Sequence, residues 1–330
     1  MKLTIWIPTY NWGVNLIRAI KSTKNLLLNS DDFEILILDN QSTDDTSQNI
    51  EKLKKEFQNI RYIKNDKNYW RVWNWNRVLE ESKGDYTIFL FANDQVSENN
   101  NIIDILNYMS DENIYLSKSN KININNNWIL SNKFKMKVIS LNDYIHKNLF
   151  FLSSLPFAPT QTFVFDNKYL KNKNITFDIK EEIIADIKFW LDIYCSNKNF
   201  KILTTNSYNI IFDDSNINRL HNKLSYFDML SHELGLFLDK KYEDSLWRNK
   251  TTIIFNYLSR INFIQLLYII SNKRLFCNYN KWDKKLIKKY ILNNYKISLS
   301  KYCILNIFSF INIFKFYWFI KYVRKKWNSI

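Results

Sequence analysis

Short apolar runs alternate with amphipathic segments through the first 95 residues of this 330-residue chain, and this alternation restricts the fold more than any other feature. The apolar runs have the length and composition of strands. The predicted strands cover residues 3–7, 33–38, 60–63 and 88–91. The segments between them have apolar residues at helical spacing, and the predicted helices cover residues 14–28, 45–57 and 70–82. Strand–helix alternation with short connections predicts an α/β fold with a mostly parallel central sheet flanked by helices.

The run at residues 88–91 is predicted to be the central strand. Its four consecutive apolar residues follow Gly84 and precede polar residues, a pattern typical of a strand buried on both faces. The run leads into Asn93 and Asp94, and ligands of open α/β sheets collect beyond the carboxyl ends of the strands. A carboxylate beside an amide at that place suits a divalent cation that carries a phosphorylated ligand. The alternative is that Asp94 caps a helix beginning near Glu98.

The alternation becomes less regular after residue 98. A helix is predicted at residues 99–109 and a surface hairpin at residues 120–132. Further predicted strands cover residues 114–117, 135–139, 162–165, 200–203 and 208–212, and a further helix covers residues 181–195. Only helical patterns follow Leu224. The chain is therefore predicted to consist of an α/β domain, residues 1–222, and an α-helical C-terminal appendage, residues 223–330.

The net charge of +15 comes from the C-terminal part of the chain. Residues 1–239 hold 28 Lys and Arg against 29 Asp and Glu, whereas residues 240–330 hold 19 against 3. Such an excess indicates binding to nucleic acid or to an anionic membrane surface. Aromatic residues of the last predicted helix cluster with aliphatic ones rather than lying between basic residues. Nucleic acid is therefore not expected as a partner.

The last predicted helix, residues 301–327, contains an apolar run at residues 302–320 that is interrupted by Asn306, Asn312 and Lys315. A basic cluster follows this run. Its members are Lys321, Arg324, Lys325 and Lys326. The cationic end and the polar interruptions favour a helix that lies in the membrane interface. A helix that spans the membrane and a helix that docks on the first domain are the two alternatives.

Glycine and cysteine usage exclude some classes of protein. Gly13, Gly84 and Gly235 are too far apart to build a Walker loop or a dinucleotide-binding glycine fingerprint, which disfavours a nucleotidyltransferase with a glycine-rich phosphate loop. Three widely spaced cysteines indicate a reducing compartment without a disulfide framework. The apolar stretch before Pro8 is too short for the core of a signal peptide, so a cytoplasmic location is expected.

Four segments of the first half carry a family resemblance. They are I-P-T-Y-N (7–11), L-D-N-Q-S-T-D-D-T (38–46), N-W-N-R (74–77), and K-G-D-Y-T-I-F-L (83–90) followed by A-N-D (92–94). In this order and at this spacing they resemble family-2 glycosyltransferases of the bacterial surface-glycan type. The resemblance is strong over residues 1–110, weak over 155–225, and does not reach the C-terminal third. It implies a GT-A type, Rossmann-like catalytic domain with a nucleotide-sugar half (about 1–110) and an acceptor half (about 111–222).

The resemblance implies a nucleotide-sugar donor and a set of residues that contact it. Asp39 would accept hydrogen bonds from the base or ribose, although a polar end to a strand also explains this residue. The ends of three predicted strands, at residues 9–11, 39 and 93–94, would line one crevice. Asn76 would face this crevice, and Arg219 would stabilise the departing diphosphate. The other expected donor contacts are Pro8, Thr9, Tyr10, Asn11, Asn93 and Asp94.

The resemblance also implies a divalent cation, Mn²⁺ or Mg²⁺, but the chain departs from the family's metal motif. The family has two aspartates one residue apart, whereas this chain has Ala92, Asn93 and Asp94. A single carboxylate can hold a cation that bridges a diphosphate, because the phosphate oxygens supply further ligands. The stretch Arg219-Leu220-His221 resembles the family's R-x-H motif, which implies His221 as a second metal ligand. A structural histidine is the alternative.

The stretch A-D-I-K-F-W-L (185–191) is similar to the family's E-D-x-D-x-W-L and implies that Asp186 is the catalytic base. Such a base must reach the acceptor hydroxyl and must be ionised. The preceding family glutamate is Ala185 in this chain. Glu181 and Glu182 are the other candidates for the base, and a solvated helix face is the structural alternative.

These features predict an inverting glycosyltransferase that moves a sugar from a nucleotide-sugar donor to a hydroxyl of a lipid-linked or surface glycan. It would act as a peripheral protein on the inner face of the cytoplasmic membrane. The alternative is a catalytically impaired scaffold with the same fold in a glycan-assembly complex, for which Ala92 and Ala185 are the evidence. The acidic residues Asp39, Asp94 and Asp186 favour the enzyme.

Overall fold

The structure is a computed structural model that describes residues 2–26, 28–98, 102–111, 116–119, 122–124, 127–129, 137–140, 160–180, 185–196, 201–205 and 210–212. The chain divides into two units, Met1–Leu220 and His221–Ile330. Every element described below belongs to the first unit. The helices expected within residues 223–330 lie outside the described residues, and the domain boundary at residue 222 stays a prediction.

The predicted elements of the first unit occur in the predicted order, and the structure adds a short strand at Gln95–Val96 and a helix at Asn167–Asn172. The strands are β1 Leu3–Thr9, β2 Phe33–Asp39, β3 Ile60–Lys64, β4 Tyr86–Phe89, β5 Gln95–Val96, β6 Leu116–Ser119, β7 Ile122–Ile124, β8 Asn127–Ile129, β9 Lys137–Ser140, β10 Phe163–Asp166, β11 Lys201–Thr205 and β12 Ile210–Phe212. The helices are α1 Gly13–Ser22, α2 Thr46–Leu53, α3 Arg71–Glu81, α4 Ile102–Asp111, α5 Asn167–Asn172 and α6 Ala185–Ser196. Short 3₁₀ helices occupy Thr23–Leu26, Ser30–Asp32 and Thr160–Thr162.

The strands form two sheets. The larger sheet has the order β3-β2-β1-β4-β10-β6-β11-β9, and the smaller one has the order β5-β12-β7-β8. In the larger sheet β3, β2, β1 and β4 are parallel, as predicted, whereas β10 runs antiparallel to both β4 and β6. The antiparallel pair β7–β8 confirms the hairpin predicted at residues 120–132. The predicted α/β class with a mostly parallel sheet is confirmed.

The sheet is buried on both faces, and the two faces differ in composition. On one face, aliphatic residues of β1 such as Ile5 and Ile7 join the core cluster that includes Leu16 of α1. On the other face, Trp6 packs edge-on against Phe89, with ring centroids 4.3 Å apart. Full burial of one such side chain stabilises the fold by roughly 1.5–3 kcal/mol. These two cores fix the central strands, and with them the edge where their carboxyl ends meet.

Gly84 allows the start of β4 to approach β1 closely. A Cβ atom at this position would lie 2.5 Å from the Thr4 backbone nitrogen, which is well inside van der Waals contact. The Gly84 N–H also donates to Thr4 Oγ1 over 2.9 Å. The glycine in K-G-D-Y is therefore required by strand packing, since any side chain would push β4 away from β1.

Candidate active site

The carboxyl ends of β1, β2 and β4 lie side by side at one edge of the sheet. Thr9, the last residue of β1, is in register with Asp39, the last residue of β2. The Asn40 N–H donates to the Thr9 carbonyl oxygen over 2.9 Å. On the other side of β1, β4 leads toward Asn93 and Asp94. The strand ends that the sequence predicted to line one crevice are therefore neighbours.

The segment after β1 is joined by hydrogen bonds to the loop after β2. Asn11 has a left-handed φ of 57°, which asparagine adopts more readily than most residues. Its N–H donates to Ser42 Oγ over 2.9 Å, and its Oδ1 accepts from the Thr43 N–H over 2.8 Å. The Gly13 N–H donates to Asp44 Oδ2 over 3.2 Å. The two segments thus form one wall of the crevice, and the predicted donor contact Asn11 helps to hold this wall together.

Asp39 is fully buried, and both of its carboxylate oxygens accept hydrogen bonds. Oδ1 accepts from the N–H and the hydroxyl of Ser42 over 2.8 and 2.5 Å, and Oδ2 accepts from the Tyr62 hydroxyl over 2.7 Å. Burial and the hydrogen bond to Asp39 raise the pKa of the Tyr62 hydroxyl. Asp39 therefore orients the loop after β2. Its contact with a base or ribose stays a prediction, for which a carboxylate retains unused lone pairs.

Two buried polar atoms on this wall have no hydrogen-bond partner among the described residues, namely Thr9 Oγ1 and Gln41 Oε1. A buried polar atom without a partner destabilises the protein until a water or a ligand supplies one. Gln41 has a left-handed φ of 69° in the loop after Asp39. Pro8 is half-buried and Tyr10 is 44% exposed, so this segment also has surface that a ligand can contact. Gln41 was missed because one glutamine in a polar turn forms no pattern.

Asn76 is paired with the backbone of a distant segment. Its Nδ2 donates to the Phe177 carbonyl oxygen over 2.8 Å, and its Oδ1 accepts from the Phe177 N–H over 2.8 Å. The ring of Trp75 also packs edge-on against the ring of Phe177. Asn76 therefore fixes α3 to the segment that precedes α6. Its predicted contact with the donor stays a prediction.

Asp94 is 2% exposed, and its Oδ2 accepts from Gln161 Nε2 over 2.8 Å. The neighbouring Asn93 presents its backbone carbonyl oxygen to Arg18 Nη2 over 3.2 Å, which joins this loop to α1. Asp94 is followed by β5, and α4 begins only at Ile102. The alternative in which Asp94 caps a helix is therefore wrong. Gln161 instead orients the carboxylate at the end of the central strand.

Asp186 lies in the first turn of α6 and is half-buried. Its Oδ1 accepts from the Ile187 N–H over 2.9 Å. Burial raises the pKa of the Asp186 carboxyl above its ordinary value, although the Ile187 N–H, the positive charge of Arg71 and the Thr160 hydroxyl each act to lower it. A carboxylate with a raised pKa is the stronger proton acceptor. The setting of Asp186 thus suits a general base.

The 3₁₀ helix Thr160–Thr162 contacts both the Asp94 and the Asp186 carboxylates. Thr160 interacts with Asp186 through its hydroxyl, and the next residue, Gln161, holds Asp94. Trp190 Nε1 donates to Thr160 Oγ1 over 3.4 Å. All three residues of this turn are polar, and all three are buried. No sequence pattern marks Thr160 and Gln161 as site residues, because they stand just before the predicted strand at residues 162–165 and their partners are far away in the chain.

Some predicted site residues lie outside the described residues. They are Arg219, His221, Glu181 and Glu182. Within the described ranges, no group of three or more His, Cys, Asp or Glu side chains could hold a metal ion. Asp94 is thus a single carboxylate at the predicted metal position. The assignments of Arg219 and His221 stay predictions.

The mostly parallel sheet, with the antiparallel strand β10 beside the central strand β4, has the architecture of the GT-A class of fold. The family model described as Glycosyl transferase family 2 matches residues 4–172, just over half of the chain. The chain therefore belongs to this family and is a glycosyltransferase. The resemblance that the four sequence segments carry is confirmed.

Relatives of known activity support this assignment. The chain is 27% identical over 255 residues to GalNAc(5)-diNAcBac-PP-undecaprenol beta-1,3-glucosyltransferase of Campylobacter jejuni, and the match covers 73% of this chain and 78% of the relative. It is 24% identical over 216 residues to poly(ribitol-phosphate) beta-N-acetylglucosaminyltransferase TarP of Staphylococcus aureus, covering 64% and 63%. The crystal structure of S. aureus TarS 1–349 with UDP-GlcNAc has the same fold, with a TM-score of 0.60, 15% identity and 84% coverage of each chain.

Proposed function

We propose that this chain is an inverting glycosyltransferase that moves a sugar from a nucleoside-diphosphate donor to a hydroxyl of a lipid-linked glycan. The observation that carries the proposal is the pair Asp94 and Asp186, which contact consecutive residues of the buried turn Thr160–Thr162. Asp94 lies in the segment that follows the central strand β4, and ligands of α/β folds bind beyond the carboxyl ends of such strands. The Asp186 carboxyl has a raised pKa, which suits proton transfer.

The donor would bind along the wall formed by the strand ends of β1 and β2. Thr9 Oγ1 and Gln41 Oε1 are buried polar atoms that a nucleoside can satisfy. The loops behind them are fixed through Asp39 and Asn11, so binding needs little reorganisation. The UDP-GlcNAc complex of S. aureus TarS supports a uridine nucleotide as the first donor to test.

Asp186 would accept the proton of the acceptor hydroxyl as the hydroxyl oxygen attacks the anomeric carbon of the donor sugar. The bond from the anomeric carbon to the diphosphate breaks, and its electron pair leaves with the diphosphate. One displacement inverts the anomeric configuration and needs no covalent intermediate. Rate would come from the alignment of acceptor and donor and from charge stabilisation of the leaving diphosphate, to which Arg219 would contribute.

A divalent cation, Mn²⁺ or Mg²⁺, fits part of this site. Hard cations prefer oxygen ligands, and Asp94 and Asn93 offer one carboxylate and one amide oxygen. His221 and the donor itself would supply further ligands. When bound, the cation would neutralise charge on the leaving diphosphate. Gln161 already holds the Asp94 carboxylate in one orientation, which favours this arrangement.

The scaffold alternative rests on the two alanines at positions where the family has carboxylates. Ala92 is 2% exposed and Ala185 is 1% exposed. Carboxylates in these places would be buried charges, so in this chain both alanines contribute to packing. The polar groups around Asp94 and Asp186 are arranged for ionisable side chains. This arrangement favours the enzyme.

The experiment that tests this function measures release of nucleoside diphosphate from a panel of sugar nucleotides by the purified full-length protein. The acceptor is a polyprenyl-diphosphate-linked GalNAc oligosaccharide, chosen because the C. jejuni relative acts on such a glycan. We expect release from at least one donor, with slower hydrolysis when the acceptor is omitted. A protein that binds nucleotide but releases no product with any donor supports the scaffold alternative.

We also propose that the basic C-terminal region holds the enzyme on the inner face of the cytoplasmic membrane. In the part of the chain that the structure describes, no helix is both long and apolar enough to cross a bilayer. Residues 240–330 carry 19 Lys and Arg against 3 Asp and Glu. Each basic residue near an anionic surface contributes about 1 kcal/mol, which supports peripheral binding.

Deletion of residues 300–330 is expected to release the protein from anionic vesicles, because it removes the aromatic segment and the basic cluster that follows it. Co-sedimentation measures the effect. Replacing Lys321, Arg324, Lys325 and Lys326 by Gln is the matched variant, and it should weaken binding mainly at low salt. If the truncated protein sediments as well as the full chain, or unfolds, the segment docks on the first domain instead.

A further inference from the structure

An aromatic platform lies at the start of α3. It consists of Tyr69, Trp70 and Trp73. The rings of Tyr69 and Trp73 are stacked, with centroids 3.8 Å apart and planes 19° from parallel. Trp70 lies between them in sequence and is 74% exposed, although a tryptophan ring is among the most favourable groups to bury. Large exposed aromatic surface of this kind marks a binding site more often than it marks a fold requirement.

The platform is held in place and surrounded by polar groups. The Tyr69 N–H donates to Asn40 Oδ1 over 2.9 Å, and the Tyr69 hydroxyl donates to Asp66 Oδ1 over 2.9 Å. Lys67 lies 5.0 Å from the centre of the Tyr69 ring, and Arg77 lies 5.7 Å from the centre of the Trp73 ring. Lys67 and Arg77 therefore cover the outer faces of the Tyr69–Trp73 stack, and Trp70 is the ring of the platform that stays exposed.

The platform lies between the two functional parts of the site. On one side, Tyr69 is bonded to Asn40, which directly follows Asp39 at the end of β2. On the other side, Arg71 follows Trp70 and places its positive charge near the predicted base Asp186. Trp70 thus stands in the chain between a residue bonded to the proposed donor wall and a residue whose charge acts on the proposed base, so we expect the acceptor to enter beside it.

We infer that the aromatic platform binds a pyranose ring of the acceptor glycan, with Trp70 against the C–H face of the sugar. This inference rests on the proposed function, since it identifies the acceptor side of the same site. A pyranose has an apolar face and a rim of hydroxyls, which matches the exposed Trp70 ring and the polar groups Asp66, Lys67 and Arg77 on the neighbouring stack. The mixed charges fit a hydroxyl-rich sugar better than an anionic bilayer, because the exposed Asp66 carboxylate would be repelled by anionic lipid.

Saturation-transfer NMR with the full-length protein tests the inference. The probes are the methyl β-pyranosides of glucose, N-acetylglucosamine and N-acetylgalactosamine, each with UDP present. We expect at least one pyranoside to receive saturation at its ring C–H protons. Trp70→Ala should weaken its binding about tenfold or more, whereas Trp70→Phe, which keeps an aromatic face, should recover part of the affinity.

Two controls separate this inference from the proposed function. Ile103→Ala, which shortens an exposed apolar side chain on α4, should leave pyranoside binding unchanged. The Kd for UDP should be the same in the wild type and in all variants. The inference is overturned if UDP binds but no pyranoside depends on Trp70, or if Trp70→Ala weakens UDP instead. If the wild type does not bind UDP, the proposed donor site is contradicted. The loss of pyranoside binding in Trp70→Ala would still test whether the platform binds a sugar.

Discussion

Asp186→Asn is expected to lower the rate of sugar transfer by about 10²-fold or more, which is the usual contribution of a general base. The variant keeps the shape of the side chain and an oxygen for the Ile187 N–H, but it cannot accept the proton of the acceptor hydroxyl. Binding of the donor should change little, because the donor wall is built from the ends of β1 and β2. Single-turnover transfer and UDP affinity, measured on the same preparation, separate the two effects. Near-normal transfer by this variant would reassign the base to Glu181 or Glu182.

Asp192→Asn is the matched control, since it makes the same chemical change on the same helix, α6. It should retain transfer. The pH profiles provide a second comparison: because the pKa of Asp186 is raised, wild-type transfer should fall as pH decreases through that pKa. Asp186→Asn should lack this limb of the profile.

The raised pKa of Asp186 also predicts how the Asn variant affects stability. A carboxyl whose folded pKa lies above its unfolded pKa stabilises the fold at pH below the unfolded value. This contribution is lost as pH rises through the folded pKa. Where the wild-type carboxyl is ionised, it carries a charge that burial makes unfavourable, and Asn removes this charge. The Asp186→Asn variant should melt no lower than the wild type at pH 7, which would show that lost transfer is not lost folding.

Mn²⁺ is expected to strengthen UDP binding in the wild type. In Asp94→Asn this strengthening should be about tenfold smaller, which corresponds to about 1.4 kcal/mol of binding free energy. The amide keeps an oxygen for Gln161 Nε2, so the buried contact at the end of the central strand survives while the negative charge is lost. Titration calorimetry with UDP, with and without Mn²⁺, measures this difference directly.

The affinity for UDP without metal serves as the control for Asp94→Asn, and it should match that of the wild type. Asp104→Asn provides a second control at an exposed carboxylate of α4. If Mn²⁺ strengthens UDP binding equally in the wild type and in Asp94→Asn, the cation is bound by other ligands, and Asp94 is not one of them.

The parallel half of the fold could be predicted because its strands are apolar and its helices are amphipathic. The first and last residues of the predicted strands were less accurate than the order of the strands along the chain. The central strand was predicted at residues 88–91 but is Tyr86–Phe89, although the Leu90 N–H still donates to the Trp6 carbonyl oxygen over 2.9 Å. A run of apolar residues indicates which residues are buried, and buried residues continue past the last residue of the strand. The position of β10 beside β4, and its antiparallel direction, are not indicated by any pattern of apolar residues in the sequence.

The placement of the candidate residues could be predicted where they end a strand, as Thr9 and Asp39 do, or lie in the segment after one, as Asp94 does. It was not predictable where a partner comes from a distant part of the chain. Gln161 reaches Asp94 across 67 positions. Asn76 was expected to contact the donor, yet its amide pairs with the backbone of Phe177, 101 positions away. Only the three-dimensional packing of α3 and α6 against the sheet brings these groups together.

The most direct measurement of the central claim is the thermal midpoint of the purified full-length protein with UDP, GDP and dTDP, each in the presence of Mn²⁺. A ligand that binds only the native state raises the midpoint, and saturation at about 100 times Kd should raise it by about 5 °C or more. We expect such a shift for at least one nucleoside diphosphate and a smaller one for the matching monophosphate, which lacks the second phosphate. An unchanged midpoint with every nucleotide would contradict a donor site at the ends of β1, β2 and β4.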